Sequence, residues 1–442
     1  MKKRVKRTAA LFMAAVMVVS LAGCGSGGSE SENKTTDQKT NEDNEIIFWN
    51  TGTEEVNKAI YDKAIDLYQE STDSEYTITS VPVQNDTYKE KLIIAMSSGE
   101  CPDMYVTWTG GPMNEYIESG YAQPITELFN NSELPDRIMD GAIAQSSYKG
   151  DIYAVPFLSV ALSGFYYNKE MFKEYGLEVP QTVGELEAVC DKLKENNITP
   201  FALANAPKWT GSMYFMNLAA RYGGLKPFDE AVAGTGTFED ECFIYAGDKI
   251  IDWTKKGYFP EGVNSLSEDD GQARQMLYQE TAAMTLSGSW YTDLIKQDSE
   301  EFYEKMGWFA FPALEGSDAD SSIMIGTIGN GFISFNCEGE KLEAAFECAT
   351  KFSEDKMVDF MVESGKIPPL KGIDKKIEDP INKQVIEKAN EASSIQLWYD
   401  QYLPPAVSQV HLDTSQELFG LTMTSEEAAK QFQQAMQEYL AE

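Results

Sequence analysis

Ile46-Ile47-Phe48-Trp49 is a short apolar run, Asn50-Thr51-Gly52 turns the chain, and apolar residues then fall at Val56, Ile60, Ala64, Leu67 and Tyr68. The spacing reads as strand, loop, amphipathic helix. Working outward, Thr77 to Val83 is a second strand. Asp86 then sits where a cap would open a helix carrying Tyr88, Leu92, Ala95 and Met96, which stops at Gly99. Asp103 to Trp108 is a third strand. Strands alternating with helices of this length predict a parallel α/β unit with helices on both sheet faces.

The pattern returns after Tyr153-Ala154-Val155-Pro156, with a strand near Gly164 to Tyr167, a helix near Val183 to Glu195 and a strand near Thr199 to Ala202. Further helices are expected at Tyr214 to Tyr222 and Phe243 to Lys255, and a short strand at Thr281 to Leu286. Near the end of the chain, Thr424 and Glu427 have the spacing of a capping box, followed by Ala428, Phe432, Ala435, Met436 and Tyr439 on one face. The roughly 400 residues from Glu45 onward exceed one ordinary hydrophobic core, so two domains are expected.

Toward the N-terminus, Met1 to Arg7 carry five basic side chains and Ala9 to Val19 are eleven apolar residues. This is the n-region and h-region of a signal peptide, and it is shorter than a membrane span. It ends at Leu21-Ala22-Gly23-Cys24, which resembles a bacterial lipobox. That resemblance implies that residues 1–23 are removed and that Cys24 carries a diacylglyceryl thioether anchoring the chain to the cell membrane. Residues 24–44 hold no apolar run able to order a backbone and read as a flexible tether.

A formal charge of −35 argues against nucleic acid as a partner and makes a neutral ligand the simpler expectation. Cys101, Cys190, Cys242, Cys337 and Cys348 remain after Cys24, with no C-x-x-C spacing, so neither a metal motif nor a redox motif is present. Small buried hydrophobes are their simplest role. His411 is the single histidine, and no G-x-S-x-G, H-E-x-x-H or P-loop string occurs. A pair of acids acting on a glycoside remains formally open among 71 acidic residues.

Several strings in order then resemble the extracellular solute-binding proteins of family 1, the sugar receptors of ABC importers. They are Ser98-Gly99-Glu100-Cys101-Pro102-Asp103, Gly150-Asp151-Ile152-Tyr153-Ala154-Val155-Pro156 and Tyr166-Tyr167-Asn168-Lys169-Glu170-Met171-Phe172. Val179-Pro180-Gln181-Thr182 follows, then Ala282-Ala283-Met284 leading to Gly288-Ser289-Trp290, and Gly365-Lys366-Ile367-Pro368. The resemblance implies an α/β, periplasmic-binding-protein-like fold of two lobes joined by three chain crossings. The first crossing is expected at Tyr153 to Pro156, the second near Trp308 to Pro312 and the third after Lys351. The expected lobes are therefore 45–156 with 313–352, and 157–312 with 353–442.

It further implies a binding protein without catalysis or cofactor, monomeric, with a carbohydrate ligand and membrane permease subunits as partners. A polyamine, an iron chelate or a phosphorylated polyol is the competing ligand class.

Ligands in open α/β sheets sit beyond the carboxyl ends of strands, where Asn50 and Trp108 fall. A sugar needs an aromatic face for its C–H patches and carboxylates or amides for its hydroxyls. Matched to the family, Trp108 and Trp209 take platform positions, and Trp398-Tyr399-Asp400 resembles a late segment returning to the cleft. Trp290 follows Ser287-Gly288-Ser289, small residues expected to admit a ligand closely. Asn50 and Glu54 follow the first strand, where they either bind hydroxyls or cap the next helix. Trp49, Trp253 and Trp308 lie in apolar runs and read as core.

Overall fold

The computed structural model describes residues 44–441, so Cys24 and the expected signal and tether lie outside the described residues. Strand β1 (Glu45–Asn50) alternates half-buried and buried side chains. Helix α1 (Glu55–Ser71) turns Ile60, Tyr61, Ala64, Ile65 and Tyr68 inward, the stripe that a 3.6-residue period produces. β2 (Thr77–Pro82) pairs parallel to β1, α2 (Asn85–Ser98) follows, and β3 (Met104–Thr107) lies on the other side of β1. Helix α2 ends at Gly99, whose φ of +79° suits glycine and whose N–H reaches Ala95 O and Met96 O. Its N-cap position is Gln84; Asp86 lies inside the first turn and is not the expected cap.

The remaining strands are β4 (Ala154–Pro156), β5 (Ala161–Asn168), β6 (Thr199–Phe201), β7 (Ala282–Gly288), β8 (Met306–Phe309), β9 (Met324–Thr327), β10 (Phe332–Phe335) and β11 (Ile395–Gln396). The first sheet runs β2-β1-β3-β10-β4 and the second β11-β9-β5-β7-β6, with β8 also on β5. Both sheets are mixed, not the all-parallel construction expected. β10 runs against β3 and β4, and β5 against β7 and β9. A strand that has just entered from the other lobe heads away from the hinge, while its neighbours head toward it.

Three segments lie side by side between the sheets. Phe157 N–H donates to Gly331 O at 2.9 Å, Asn330 N–H to Ser159 O at 2.6 Å and Val160 N–H to Ile367 O at 2.6 Å. The fold is thus the two-lobed, three-crossing architecture, with the second crossing displaced from its expected place and the third falling after Lys351 but later than the expected lobe boundary at 352. Pro312 is not an exit, because β9 still pairs with β5, so the second crossing falls between Thr327 and Phe332. Phe309-Ala310-Phe311-Pro312 ends β8 and enters a loop pinned in the second lobe, where Arg221 donates to Phe311 O, Pro312 O and Ile323 O. The helix Asp355–Glu363 packs on α1 of the first lobe, so the chain stays there beyond residue 352 and crosses last in the segment holding Lys366.

The helix Val183–Glu195 opens on Thr182, whose hydroxyl accepts Glu185 N–H. The last helix, Ser425–Ala441, opens on the reciprocal bonds of a capping box: Glu427 N–H to Thr424 Oγ1 at 3.2 Å, and Thr424 N–H to Glu427 Oε2 at 3.1 Å. Cys190, Cys242, Cys337 and Cys348 are buried free thiols, and Cys101 is a half-buried one. Trp253 and Trp308 are buried, and Trp49 is half-buried against the first core. No helix among the described residues is long and apolar enough to cross a membrane.

Candidate functional site

The C-terminal ends of β3 and β7 and the loops beside them open onto one cavity of about 380 Å³ between the lobes, within the size range of small-molecule sites. Trp108 follows β3 directly, and Trp290 follows β7. Trp209 begins α3 (Trp209–Gly223), and Trp398 precedes the short helix Tyr399–Tyr402. All four indoles line the cavity. Three of them meet edge to face: Trp209 and Trp290 with centroids 5.8 Å apart, Trp290 and Trp398 with centroids 5.9 Å apart. Trp108, from the first lobe, stands edge-on to Tyr88 at 5.7 Å.

Trp290 is held by its own neighbourhood. A Cβ on Gly288 would lie 2.1 Å from its ring, so the small residue expected to admit a ligand admits this indole instead. Lys208 takes φ +70°, a conformation rare for a side-chain-bearing residue, and thereby starts α3 with Trp209 facing the cavity.

Asp400 lines the cavity and binds Lys89 Nζ at 2.7 Å, and Lys89 Nζ also stands 5.0 Å from the Trp108 ring centre. Glu54 occupies the N-cap position of α1 but makes no cap bond; its carboxylate lies 3.4 Å from Arg274 Nη2. Asn50 and Tyr399 depart from expectation. Asn50 points inward from β1, donating to Ser80 Oγ and accepting Gly52 N–H, so it shapes the turn and does not reach the cavity. Tyr399 stacks on Phe228 with centroids 4.1 Å apart inside the second core.

Sequence reading missed an ionic frame around the indoles. Arg274 is buried among Glu54, Glu268 and Asp298. Lys366 is buried against Asp293, and Lys208 binds Asp413. Every basic side chain lining the cavity is therefore already engaged by a carboxylate. Burial pushes the Glu268 carboxyl up to about 8, while Tyr291 O–H donates to it at 2.5 Å and Arg274 lies beside it. Burial, with the charge of Asp86 adding to it, pushes Asp269 up to about 6. No sequence signal separated these acids from the rest in so acidic a chain. Among the described residues no cluster of His, Cys, Asp and Glu suits a metal ion.

Comparisons with known proteins agree with this fold. The family model described as bacterial extracellular solute-binding protein matches residues 51–354. The multiple sugar-binding protein of Streptococcus mutans is 26% identical over 351 residues, 77% of this chain and 76% of that one. A protein solved in work on xylan utilization by the thermophilic bacterium Caldanaerobius polysaccharolyticus superposes with a TM-score of 0.81 at 28% identity, covering 88% of this chain and 99% of its own. A chitin oligosaccharide binding protein does so with a TM-score of 0.81 at 22% identity, covering 90% and 99%.

Proposed function

Since the chain belongs to the bacterial extracellular solute-binding proteins, we propose that it is the receptor of an ABC importer, capturing a sugar or short oligosaccharide between its lobes and handing it to membrane permease subunits. The observation that carries this reading is the cavity wall. Four indoles from both lobes face one gap, and each ring face covering a sugar ring contributes on the order of 1 kcal/mol at ~25 cal/mol per Å². Carboxylates of Asp400 and Asp269 beside them supply strong acceptors for hydroxyls.

The paired state of Lys89, Lys208, Arg274 and Lys366 leaves no free cation for a phosphorylated polyol among the described residues lining the cavity. A cationic ligand is the second reading, favoured by the carboxylates together with the indoles, because polyamines also use acid and aromatic linings. In this reading the chain performs no chemistry. It works extracytoplasmically as a monomer, held by a lipid on Cys24, and ligand drives closure by contacting both lobes at once.

A thermal-shift panel of xylo-oligosaccharides, chitin oligosaccharides, polyamines and polyol phosphates tests the ligand class, with stabilisation expected from a saccharide alone. Stabilisation by a polyamine or a polyol phosphate with none from any saccharide would overturn it. Mass spectrometry of the mature N-terminus tests the anchor, and an unmodified Cys24 removes that part of the proposal.

A further inference from the structure

Helix α2 belongs to the first lobe, yet its first turn is bonded to the second. Asp86 Oδ1 accepts the Trp209 indole N–H at 3.3 Å, and Asp86 Oδ2 accepts Asp269 N–H at 3.4 Å. In return Asp86 N–H donates to Asp269 Oδ2 at 2.9 Å. One turn along, Lys89 binds Asp400. The bond from Asp86 is the one hydrogen bond the Trp209 indole makes among the described residues.

An indole turned over about its outer side-chain torsion fills similar space but moves its N–H to another edge, so a fixed acceptor selects one setting of the ring. Asp86 is itself fixed by the paired backbone bonds with Asp269. Trp209 in turn sets the edge that meets Trp290, and Trp290 the edge that meets Trp398.

We propose that Asp86 is a positioning residue for ligand recognition: from the opposite lobe it fixes the plane of the Trp209 indole, so the aromatic wall of the second lobe takes its binding arrangement only when α2 has closed onto it. This inference rests on the reading of Trp209 as a ligand platform. It assigns Asp86 no contact with the ligand. A merely structural role at the start of α2 would depend on negative charge near the helix N-terminus, whereas positioning depends on an acceptor atom. Asn keeps one acceptor oxygen for the Trp209 indole and discards the charge; it gives up the 3.4 Å bond from Asp269 N–H but leaves the 2.9 Å bond from its own N–H to Asp269 Oδ2 in place.

The test uses the full mature chain saturated with xylotriose or chitotriose, read by indole ¹H–¹⁵N spectra, the Trp209 signal being assigned by its loss in Trp209→Phe. In Asp86→Ala the Trp209 signal is expected to move, and in Asp86→Asn to stay near its wild-type place. Titration calorimetry with xylotriose and chitotriose is the second arm. There Asp86→Ala and Trp209→Phe each weaken binding about fivefold, the double variant is no weaker than either single one, and Asp86→Asn restores most of the affinity.

An unmoved Trp209 signal in folded Asp86→Ala, or losses that multiply in the double variant, overturns the proposal. Loss of the wild-type signal position in Asp86→Asn as in Asp86→Ala does the same. If the wild type binds neither saccharide, it is the sugar reading that fails, whereas binding with an unmoved Trp209 signal in Asp86→Ala overturns the role of Asp86 alone.

Discussion

Trp290 stands in the middle of the second-lobe indoles: its ring rests on Gly288, and it meets Trp209 and Trp398 edge to face. Truncation to Ala removes one stacking face and leaves the other two indoles unsupported, while β7, which ends two residues before it, keeps its pairing. Trp290→Ala is therefore expected to lower saccharide affinity more than tenfold, about 1.4 kcal/mol, with a melting transition still cooperative. Calorimetry on the folded variant checks this, and unchanged affinity would remove Trp290 from the site. At this scale the sequence was legible where residue type limits the choice of place. An indole next to glycine or a loop has few stable environments, and Trp108, Trp209, Trp290 and Trp398 all stand at the cavity. Asn50 and Tyr399 misled because adjacent side chains point in different directions: a strand sends alternate residues to opposite faces, and Tyr399 turns into the second core beside a Trp398 that lines the cavity.

At the scale of elements, periodicity and caps carried most of the information. The expected helix 183–195 is found as Val183–Glu195, and the capping box at Thr424 and Glu427 forms with both of its bonds. What caps do not reveal is which elements meet from distant parts of the chain. The helix Gly111–Glu118, in the first lobe, begins so close to the second that a Cβ on Gly111 would lie 2.0 Å from Leu403 O. Gly111 is not at positive φ, so an Ala there is strained only by that contact between lobes. Gly111→Ala is expected to hold the lobes apart, raising the radius of gyration in small-angle scattering and weakening ligand binding several-fold without loss of helical signal in circular dichroism. An unaltered scattering curve would mean that this contact does not limit closure.

For the whole molecule, the one histidine shows how a core residue sets a pH dependence. His411 is buried with Ser212 Oγ 2.7 Å from its Nε2 and Phe215, Tyr399 and Phe432 around its ring. Burial pulls its pKa down to about 4, against the opposing pull of the Asp400 charge. A depressed pKa means that the unfolded chain takes the proton first, so this contribution is present above about pH 6.5 and is lost as pH falls through about 4. The full effect is about 3 kcal/mol. Asp269, with its raised pKa, acts in the opposite sense over part of that window, so the comparison to make is wild type against His411→Gln. Urea unfolding at intervals from pH 7 to pH 4 should show the wild type losing stability faster than the variant. Parallel curves would exclude the buried imidazole as a source.

The sequence by itself determined the alternation of strands and helices, the capped starts at Thr182 and Thr424 and the family, because these follow from local periodicity, capping chemistry and short strings in a fixed order. Only the tertiary structure decided where the chain crosses between lobes, why both sheets are mixed, and which carboxylates meet which cations. A crossing point depends on which strand a segment pairs with, as β9 does with β5 far past Pro312. The pairs Asp86–Trp209, Arg274–Glu54 and Lys89–Asp400 join residues 123 to 311 positions apart in facing lobes. Such contacts are set by how two cores pack against each other, and no local pattern in the chain records that.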